Sequence, residues 1–243
     1  MRHALVTGAA RGIGKAIATR LQAAGCRVTA LDMDFSGCDL DSQISRVDFD
    51  LRKLSEIRGI VDGLPEIDVL VNNAGVLHCP PTDRLATEGT LGFSDEMADD
   101  IWTTNVRAPV RLVEAVAPQM TARGKANGDI GGRVVNIASV SAFTGHPDLY
   151  YGASKAAVVN FTKSLARVVG RHIVINAVAP GPTVSQMFDA LPQERKDATV
   201  ASAYAGRAAN PEEIADVVAW LGLESPVYVN GTCVDANGGF YTR

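Results

Sequence analysis

The sequence predicts an α/β fold in the form of one doubly wound parallel sheet of about seven strands, with helices on both faces. Short runs rich in Val and Ile alternate with helical patterns along nearly the whole chain. The runs are apolar at consecutive positions, which is typical of strands covered on both faces. No shift in composition and no internal repeat divides the 243 residues, so a single domain over residues 1–243 is expected.

The individual elements follow from these patterns. Strands are predicted at His3–Thr7, Arg27–Leu31, Arg46–Phe49, Asp68–Asn72, Arg133–Ala138, Ile173–Ala179 and Gly231–Asp235. Helices are predicted at Gly14–Ala24, Leu51–Val61, Ser94–Arg123, Tyr150–Val169 and Pro211–Leu221. Polar, proline-rich or glycine-rich segments at 34–45, 78–90 and 124–132 are predicted as loops.

The composition excludes several classes of protein. With 23 Lys and Arg against 27 Asp and Glu, the chain lacks the basic stripe that a nucleic-acid-binding protein needs. No apolar run approaches the roughly 20 residues that would span a bilayer. The N-terminus predicts a strand that leads into a glycine turn and not a signal peptide. We therefore expect a cytoplasmic protein that binds neither nucleic acid nor membranes.

The cysteines and histidines are scattered along the chain. Metal sites and disulfide frameworks need clustered thiols or a His/Cys grouping, and neither pattern is present. We expect no metal site and reduced thiols at Cys26, Cys38, Cys79 and Cys233.

A glycine-rich segment between the first strand and the first helix predicts a phosphate site. Its sequence is TGAARGIG over residues 7–14. Glycines here allow a tight turn and let the backbone approach a pyrophosphate, which the helix N-terminus would bind through its free N–H groups. Glycines also serve ordinary turns and caps, and the spacing differs from GxGxxG. The place of the segment between strand and helix therefore carries the hypothesis.

Asp32 and Arg11 bear on the choice of cofactor. Asp32 lies 20 residues after Gly12, at the end of the second strand. A carboxylate there accepts hydrogen bonds from the adenosine ribose and repels a 2′-phosphate, although a solvated aspartate at a strand end is the alternative. Arg11 in the glycine turn could instead contact a 2′-phosphate. Because a carboxylate close to a phosphate is repelled, NAD is favoured over NADP.

Tyr151 and Lys155 form a candidate acid–base pair. They are four residues apart on a predicted helix, so both side chains emerge on one face. A free tyrosine has a pKa of about 10 and is a poor base at neutral pH. A neighbouring ammonium and an oxidised nicotinamide ring would favour its phenolate. Ser139, at the end of the fifth strand, could hydrogen-bond the reacting oxygen. An ordinary pair on a helix surface is the alternative.

Together these segments resemble the short-chain dehydrogenase/reductase family, and the resemblance spans residues 3 to 239. The matching motifs, in the family's order, are TGAARGIG (7–14), an acid after the second strand, VDF (47–49), NNAG (72–75), TN (104–105), NIAS (136–139), YGASK (151–155), NAVAPG (176–181) and DANGG (235–239). The resemblance implies a Rossmann-type fold and an oxidoreductase that transfers a hydride between NAD(H) and a secondary alcohol or ketone.

The resemblance also implies roles for individual residues. Tyr151 would be the general acid/base, and Lys155 would lower its pKa and hold the nicotinamide ribose. Ser139 would orient the substrate oxygen, and Asn105 would retain a water that connects Lys155 to solvent. An irregularity in a core helix is the alternative for Asn105. The cofactor-binding residues implied are Gly8, Arg11, Gly12, Ile13, Gly14, Asp32, Asp48, Phe49, Asn73, Ala74, Gly75, Tyr151, Lys155, Pro180, Gly181, Thr183 and Ser185.

Three departures from the family's pattern affect these assignments. Ser139 lies 12 residues before Tyr151, where many members have 13, so Ser141 stays open as an alternative. The connection from the second strand to Asp48 is shorter than usual, so less protein is expected on the adenine side of the cofactor site. The stretch from Gly75 to Asn105 is longer by several residues, an insertion at the substrate mouth or at an oligomer edge.

The segment around 185–209 is expected to form a substrate lid that includes Phe188, Leu191 and Tyr204. It is similar to the lid of 3-oxoacyl-carrier-protein reductases, which prefer NADPH and so conflict with Asp32. A non-catalytic redox sensor or scaffold on the same fold is one alternative, and a lyase or dehalogenase offshoot is another. The partner is expected to be a small-molecule substrate.

The resemblance further suggests a homotetramer (or dimer). The helices around 94–123 and 150–169 would lie at one interface, and the tail Phe240–Arg243 would pack at another. Trp102 and Phe161 are candidate interface residues, with ordinary core packing as the alternative.

Overall fold

The structure is a computed structural model that describes residues 1–78, 88–189, 191 and 193–242. Cys79 and most of the loop predicted over 78–90 lie outside the described residues. Within the described ranges, no helix is both long and apolar enough to cross a membrane.

A parallel sheet runs through the described part of the chain, as the sequence predicts. Its strands are β1 (His3–Thr7), β2 (Arg27–Asp32), β3 (Ser45–Asp48), β4 (Val69–Asn72), β5 (Gly132–Ile137), β6 (Ile173–Pro180) and β7 (Cys233–Ala236). They lie in the order β3-β2-β1-β4-β5-β6-β7, and each neighbouring pair is parallel. The chain builds outward from β1 in one direction and then from β4 in the other, which confirms the doubly wound, Rossmann-type topology.

Helices connect the strands and cover the sheet. Those described are α1 (Gly12–Ala23), α2 (Ile57–Asp62), α3 (Asp95–Trp102), α4 (Ala108–Asn127), α5 (Ser141–Thr144), α6 (Leu149–Val169), α7 (Gln186–Asp189), α8 (Gln193–Ala201) and α9 (Pro211–Leu223). A π-helical turn over Thr103–Arg107 joins α3 to α4.

Each face of the sheet has its own apolar core. On one face, Ile17 of α1 and Val218 of α9 belong to the same buried cluster as Val71 of β4. On the other face, Leu112 of α4 clusters with Leu70, the residue before Val71. Successive strand residues point to opposite faces. Both faces therefore need apolar side chains, which explains the uninterrupted apolar runs in the sequence.

The single helix predicted over Ser94–Arg123 is divided in the structure. The π-helical turn interrupts it and carries Asn105. The Asn105 side chain bonds both backbone groups of Val76, a residue in the segment after β4. Turns of this kind occur mostly as single insertions in α-helices and often at functional sites.

Two other helix boundaries differ from prediction. The helix predicted over Leu51–Val61 begins only at Ile57, because the Asp50 carboxylate accepts a hydrogen bond from Arg52 N and holds a local turn instead. Helix α4 continues into the segment predicted as a loop over 124–132. It ends where Gly128 takes a left-handed conformation.

The carboxyl ends of the strands lie along one edge of the sheet. Doubly wound sheets bind ligands at this edge, near the point where the strand order reverses. Several predicted site residues lie at a strand end or within two residues of one: Gly8, Asp32, Asn73, Ser139 and Gly181. The topology therefore gathers residues that are far apart in the sequence.

Candidate active site

A cavity of about 930 Å³ opens at the carboxyl edge of the sheet. Its volume is near the upper end of the range of small-molecule and cofactor sites, roughly 300–1,000 Å³. All of the predicted site residues line it except Asp48 and Asn105. The structure therefore joins the predicted cofactor and catalytic groups in one continuous site.

The turn before α1 leaves room for a pyrophosphate. Gly8 and Gly12 have φ values of +62° and +53°, which residues with a side chain rarely adopt. A Cβ at Gly8 would lie 2.8 Å from Ala74 Cα, so the turn packs closely on the segment after β4. Among the described residues, a Cβ at Gly12 would meet only Ser185 Cβ, at 3.8 Å, and would occupy the cavity. The glycines thus form a cradle that a larger side chain would fill.

The start of α1 supplies the donors of this cradle. Arg11 is the N-cap residue and makes no side-chain cap. The first N–H groups of a helix have no partner within the helix. Those of Gly12, Ile13 and Gly14 line the cavity and fit an anion such as a pyrophosphate.

The Asn73 side chain fixes the shape of the glycine turn. Its Nδ2 donates to the carbonyls of Thr7 and Gly8, at 2.9 and 3.0 Å. The backbone N–H groups of Asn73 and Ala74 both donate to Thr7 Oγ1. These bonds hold the turn against the end of β4.

The Asp32 carboxylate is fixed beside the glycine turn. Its Oδ2 accepts a hydrogen bond from Ala10 N at 2.9 Å, and its Oδ1 accepts one from Asp34 N at 3.3 Å. The carboxylate lines the cavity and can accept further bonds from ligand hydroxyl groups. A phosphate at the same place would be repelled.

Arg11 already has two partners. Its guanidinium lies 3.6 Å from the Asp34 carboxylate and donates to Gln186 Oε1 at 3.2 Å. The side chains of Arg11 and Asp34 are both about half exposed, at 52% and 50%. Ion pairs this exposed contribute little, so Arg11 is only loosely held beside the cavity.

Lys155 lies buried at the wall of the cavity. It is 4% exposed, and its Nζ donates to the Ile137 carbonyl at 2.8 Å. The same Nζ lies 5.7 Å from the centre of the Tyr151 ring. Burial lowers the pKa of Lys155 from 10.5 to about 8. The ammonium therefore loses its proton far more easily than an exposed lysine.

Tyr151 lies one turn before Lys155 on α6, and its ring packs against the His146 imidazole with ring centres 5.1 Å apart. The N-cap of this helix is Asp148, a fully buried residue that the sequence analysis missed. Its carboxylate accepts bonds from Tyr151 N at 2.9 Å and from His78 N at 2.7 Å. An aspartate directly before a helical pattern is the signal that could have found it.

Asn105 lies behind the cavity wall and not in its lining. Its Oδ1 accepts from Val76 N at 2.8 Å, and its Nδ2 donates to Val76 O and to Ser154 Oγ. A Cβ at Gly75 would lie 3.3 Å from both Asn105 Oδ1 and Lys155 Nζ. The missing side chain at Gly75 thus lets these two polar groups approach the same point.

Ser139 and Ser141 both line the cavity. Ser139 is the more buried, at 8% exposure, and its Oγ accepts a hydrogen bond from Ser141 N at 3.1 Å. This bond uses a lone pair of the hydroxyl and leaves its proton to donate. Ser139 is therefore the better fixed of the two candidates.

The loop after β6 is held in place by short contacts. Gly181 N donates to the Ala236 carbonyl at 3.0 Å, and Thr183 Oγ1 donates to the Gly181 carbonyl at 3.0 Å. Pro180, Gly181 and Thr183 line the cavity across from the glycine turn.

The segment predicted as a lid, 185–209, begins and ends at neighbouring positions in the fold. Thr183 forms an isolated parallel bridge with Ala209. Ser185 Oγ accepts a hydrogen bond from Phe188 N at the start of α7. Phe188 lines the cavity, as Leu191 does.

The adenine side differs from prediction at one residue. Phe49 is buried, lines the cavity and donates its N–H to the Asp32 carbonyl at 2.8 Å. Asp48 is exposed and does not line the cavity, because successive residues at a strand end point to opposite sides. Asp50 and Arg52 line this side instead. The Arg52 guanidinium bonds both oxygens of Asp50 and holds the pKa of that carboxyl below its usual range.

Several other lining residues had no individual signal in the sequence. They include Met33, His146 and Phe240, and also Gln186, Ala198, Thr199 and Ser202 of the segment predicted as a lid. Most are ordinary apolar or hydroxyl residues with no distinctive spacing. Only the fold brings them to the cavity.

The chain is similar to known proteins over nearly its whole length. A family model described as short chain dehydrogenase matches residues 2–196. The 3-oxoacyl-(acyl-carrier-protein) reductase of Vibrio cholerae is 36% identical over 249 residues, which cover 98% of this chain and 96% of that protein.

Solved structures show the same fold. A Beutenbergia cavernae protein assigned as an NAD(P)-dependent gluconate 5-dehydrogenase, with bound NADP, has a TM-score of 0.86 and 33% identity, covering 98% of this chain and 96% of that one. The 3-ketoacyl-(acyl-carrier-protein) reductase of Brucella melitensis, complexed with NADH, has a TM-score of 0.86 and 27% identity, covering 98% of each chain. Both forms of the nicotinamide cofactor therefore occur among similar structures. The chain belongs to the short-chain dehydrogenase family of oxidoreductases, which act on CH–OH or keto groups with a nicotinamide cofactor.

Proposed function

We propose that this chain transfers a hydride between NAD(H) and a secondary alcohol or its ketone, with Tyr151 as the general acid/base. The position of Lys155 carries the proposal, since its buried amino group lies 5.7 Å from the Tyr151 ring, in the wall of the cavity that holds the glycine cradle. An ordinary pair on a helix surface would leave the lysine in water. Burying it costs stability, which a catalytic role explains.

Tyr151 moves the proton at the substrate oxygen. In the oxidation of an alcohol its phenolate accepts the hydroxyl proton, and in the reduction of a ketone its hydroxyl returns a proton to the oxygen. When bound, the dinucleotide supplies or accepts the hydride at its nicotinamide ring. A positioned acid/base of this kind contributes about 10²–10⁴-fold in rate.

Lys155 favours the ionised form of Tyr151. Its ammonium attracts the Tyr151 oxygen, and little water screens this attraction because Lys155 is 4% exposed. The lysine itself has a pKa lowered to about 8. The field of this buried ammonium is what the proposed mechanism uses to favour the Tyr151 phenolate.

Ser139 and Asn105 complete the arrangement. The Ser139 proton is left to donate to the substrate oxygen and so to orient it for Tyr151. Asn105 acts through others: its bonds to Val76 and Ser154 hold the wall behind Lys155. It is a positioning residue, and the polar space beside Gly75 suits the water that the family resemblance implies.

The residues proposed to hold the dinucleotide follow the cavity from end to end. The glycine cradle takes the pyrophosphate, and Asp32 takes the adenosine ribose. The other contacts proposed are Phe49, Asn73, Ala74 and Gly75 on the adenosine side, and Tyr151, Lys155, Pro180, Gly181, Thr183 and Ser185 on the nicotinamide side.

NAD is the proposed form of the cofactor. Asp32 presents a fixed carboxylate, and Asp34 pairs with Arg11, the cation that could receive a 2′-phosphate. Two carboxylates and one guanidinium thus lie at this end of the site. A 2′-phosphate bound there would meet a net negative charge. Two observations favour NADP instead. Arg11 is only loosely held, and the similar Beutenbergia cavernae structure contains bound NADP.

We also propose that the chain self-associates as a homotetramer. The resemblance suggests it, and three large apolar side chains near the end of α9 are exposed: Trp220 at 40%, Val227 at 47% and Tyr228 fully. An interface would cover such side chains. Light scattering that gave the mass of a monomer would contradict this assembly.

Tyr151→Phe removes only the phenolic oxygen and is expected to lower turnover by about 10³-fold or more, because that oxygen is the proposed donor and acceptor of the proton. Reduced-nicotinamide absorbance, followed with a panel of ketones and secondary alcohols, measures the loss. NADH affinity should stay near that of the wild type. Tyr150→Phe is the matched control, because Tyr150 packs edge-to-face on Phe93 outside the cavity lining. Equal activity of the two variants would refute the assignment of Tyr151.

Lys155→Met is expected to abolish turnover yet raise the free energy of unfolding at pH 7. Burial lowers the pKa of the lysine from 10.5 to about 8, so the folded state binds fewer protons between these values and wild-type stability rises with pH there. Removing the cost of the buried charge should raise the free energy of unfolding at pH 7 by about 3 kcal/mol. Loss of the hydrogen bond to Ile137 should lower it by about 1 kcal/mol. The gain should fade as the pH rises from 8 to 10.5.

Urea unfolding of both proteins at a series of pH values measures this difference. Lys163→Met, which removes an exposed lysine from the same helix, is the control and should run parallel to the wild type. A Lys155→Met protein that is less stable than the wild type at pH 7 would contradict the burial cost.

Asp32→Ala is expected to relax the preference for NADH over NADPH by about tenfold or more, because it removes both the ribose acceptor and the repulsion of the 2′-phosphate. Fluorescence titration with each reduced cofactor gives the ratio of dissociation constants without any substrate. Asp41→Ala, an exposed carboxylate of the following loop, is the control. An unchanged ratio in Asp32→Ala would show that Asp32 does not contact the ribose.

A further inference from the structure

The C-terminal tail returns to the cavity. After β7 the chain turns, and Phe240 becomes one of the lining residues while remaining half-buried. The family resemblance suggests an oligomer interface for this tail, and Phe240 lies in neither the motifs nor the lid segment. Its place in the lining therefore calls for a function of its own.

Hydrogen bonds fix the conformation of the tail. Asn237 is 7% exposed; its Oδ1 accepts from Gly239 N at 3.0 Å and its Nδ2 donates to the Tyr241 carbonyl at 2.9 Å. Phe240 N donates to the Asn237 carbonyl at 3.0 Å. Gly238 and Gly239 both have positive φ, +61° and +75°, which the turn requires. Phe240 is thus presented by an ordered turn.

Two segments next to the cavity hold the tail from either side. At the end of the lid segment, Ala205 N donates to the Gly238 carbonyl at 2.9 Å. On the other side, the Tyr241 ring stacks on Phe143 of α5, with ring centres 5.6 Å apart and planes 2° from parallel. Helix α5 begins two residues after Ser139. The tail therefore bridges the lid and the strand end that carries the proposed substrate-orienting hydroxyl.

The lining of the cavity includes apolar side chains besides Phe240. Val140, Phe188 and Leu191 line the same cavity. We propose that Phe240 determines substrate specificity by contacting the apolar substituent, an alkyl chain or an aryl ring, of the secondary alcohol or ketone. This rests on the proposed function, because it describes the substrate end of the same site.

The test compares two ketones of different size, butanone and acetophenone, with NADH. Phe240→Ala is expected to lower kcat/KM for acetophenone about tenfold relative to butanone, because apolar contacts of this size discriminate by about 10–200-fold. Phe240→Leu keeps an apolar contact and should fall between the wild type and Phe240→Ala. Phe35→Ala, which removes a partly buried aromatic ring outside the lining, should leave the ratio unchanged.

An unchanged or increased acetophenone preference in Phe240→Ala overturns the proposal, while loss of both activities in Tyr151→Phe still supports the hydride transfer. If the wild type reduces neither ketone, the proposed reaction fails for these substrates. Saturation-transfer NMR of acetophenone with the NADH complex then tests whether Phe240 contacts the ketone. A signal weakened in Phe240→Ala supports the contact, and equal signals in the two proteins overturn it.

Discussion

A buried amino group at the end of β5 organises this site. Lys155 Nζ donates to the Ile137 carbonyl at 2.8 Å, and this bond ties helix α6 to the strand that leads to Ser139. Burial makes the ammonium costly and lowers the pKa of Lys155 to about 8. The same burial keeps its charge unscreened toward Tyr151. The buried Lys155 ammonium therefore destabilises the fold, but it supplies the positive charge that the proposed reaction needs beside Tyr151.

Polar side chains bonded to backbone groups arrange the surroundings of Lys155. Asn105 forms hydrogen bonds with both backbone groups of Val76. Asp148 accepts hydrogen bonds from the backbone N–H groups of His78 and Tyr151. Asn73 donates hydrogen bonds to two carbonyls of the glycine turn. Each side chain joins segments that are distant in the sequence. Groups fixed in this way need little reorganisation when a ligand binds, a property on which the proposed catalysis depends.

The sequence predicted the strands and the residues at their ends, because parallel strands covered on both faces are apolar at consecutive positions. It could not predict the π-helical turn, since the partner of Asn105 lies 29 residues away and the local helical pattern continues. Phe240 was missed because an isolated phenylalanine after a strand has no distinctive pattern. Asp48 shows the limit of motif matching: one step along the chain decides that Phe49, and not Asp48, faces the cavity.

The ionisation of Tyr151 is the property on which the proposed chemistry depends. It can be measured as the tyrosinate absorbance of the protein with bound NAD⁺ during a pH titration, taking the difference between the wild type and Tyr151→Phe. We predict that Tyr151 ionises well below the free-tyrosine pKa of about 10, and that Lys155→Met raises its pKa again. A Tyr151 that ionises at about 10 in the wild type, or one whose titration Lys155→Met leaves unchanged, would contradict the role given to the buried lysine.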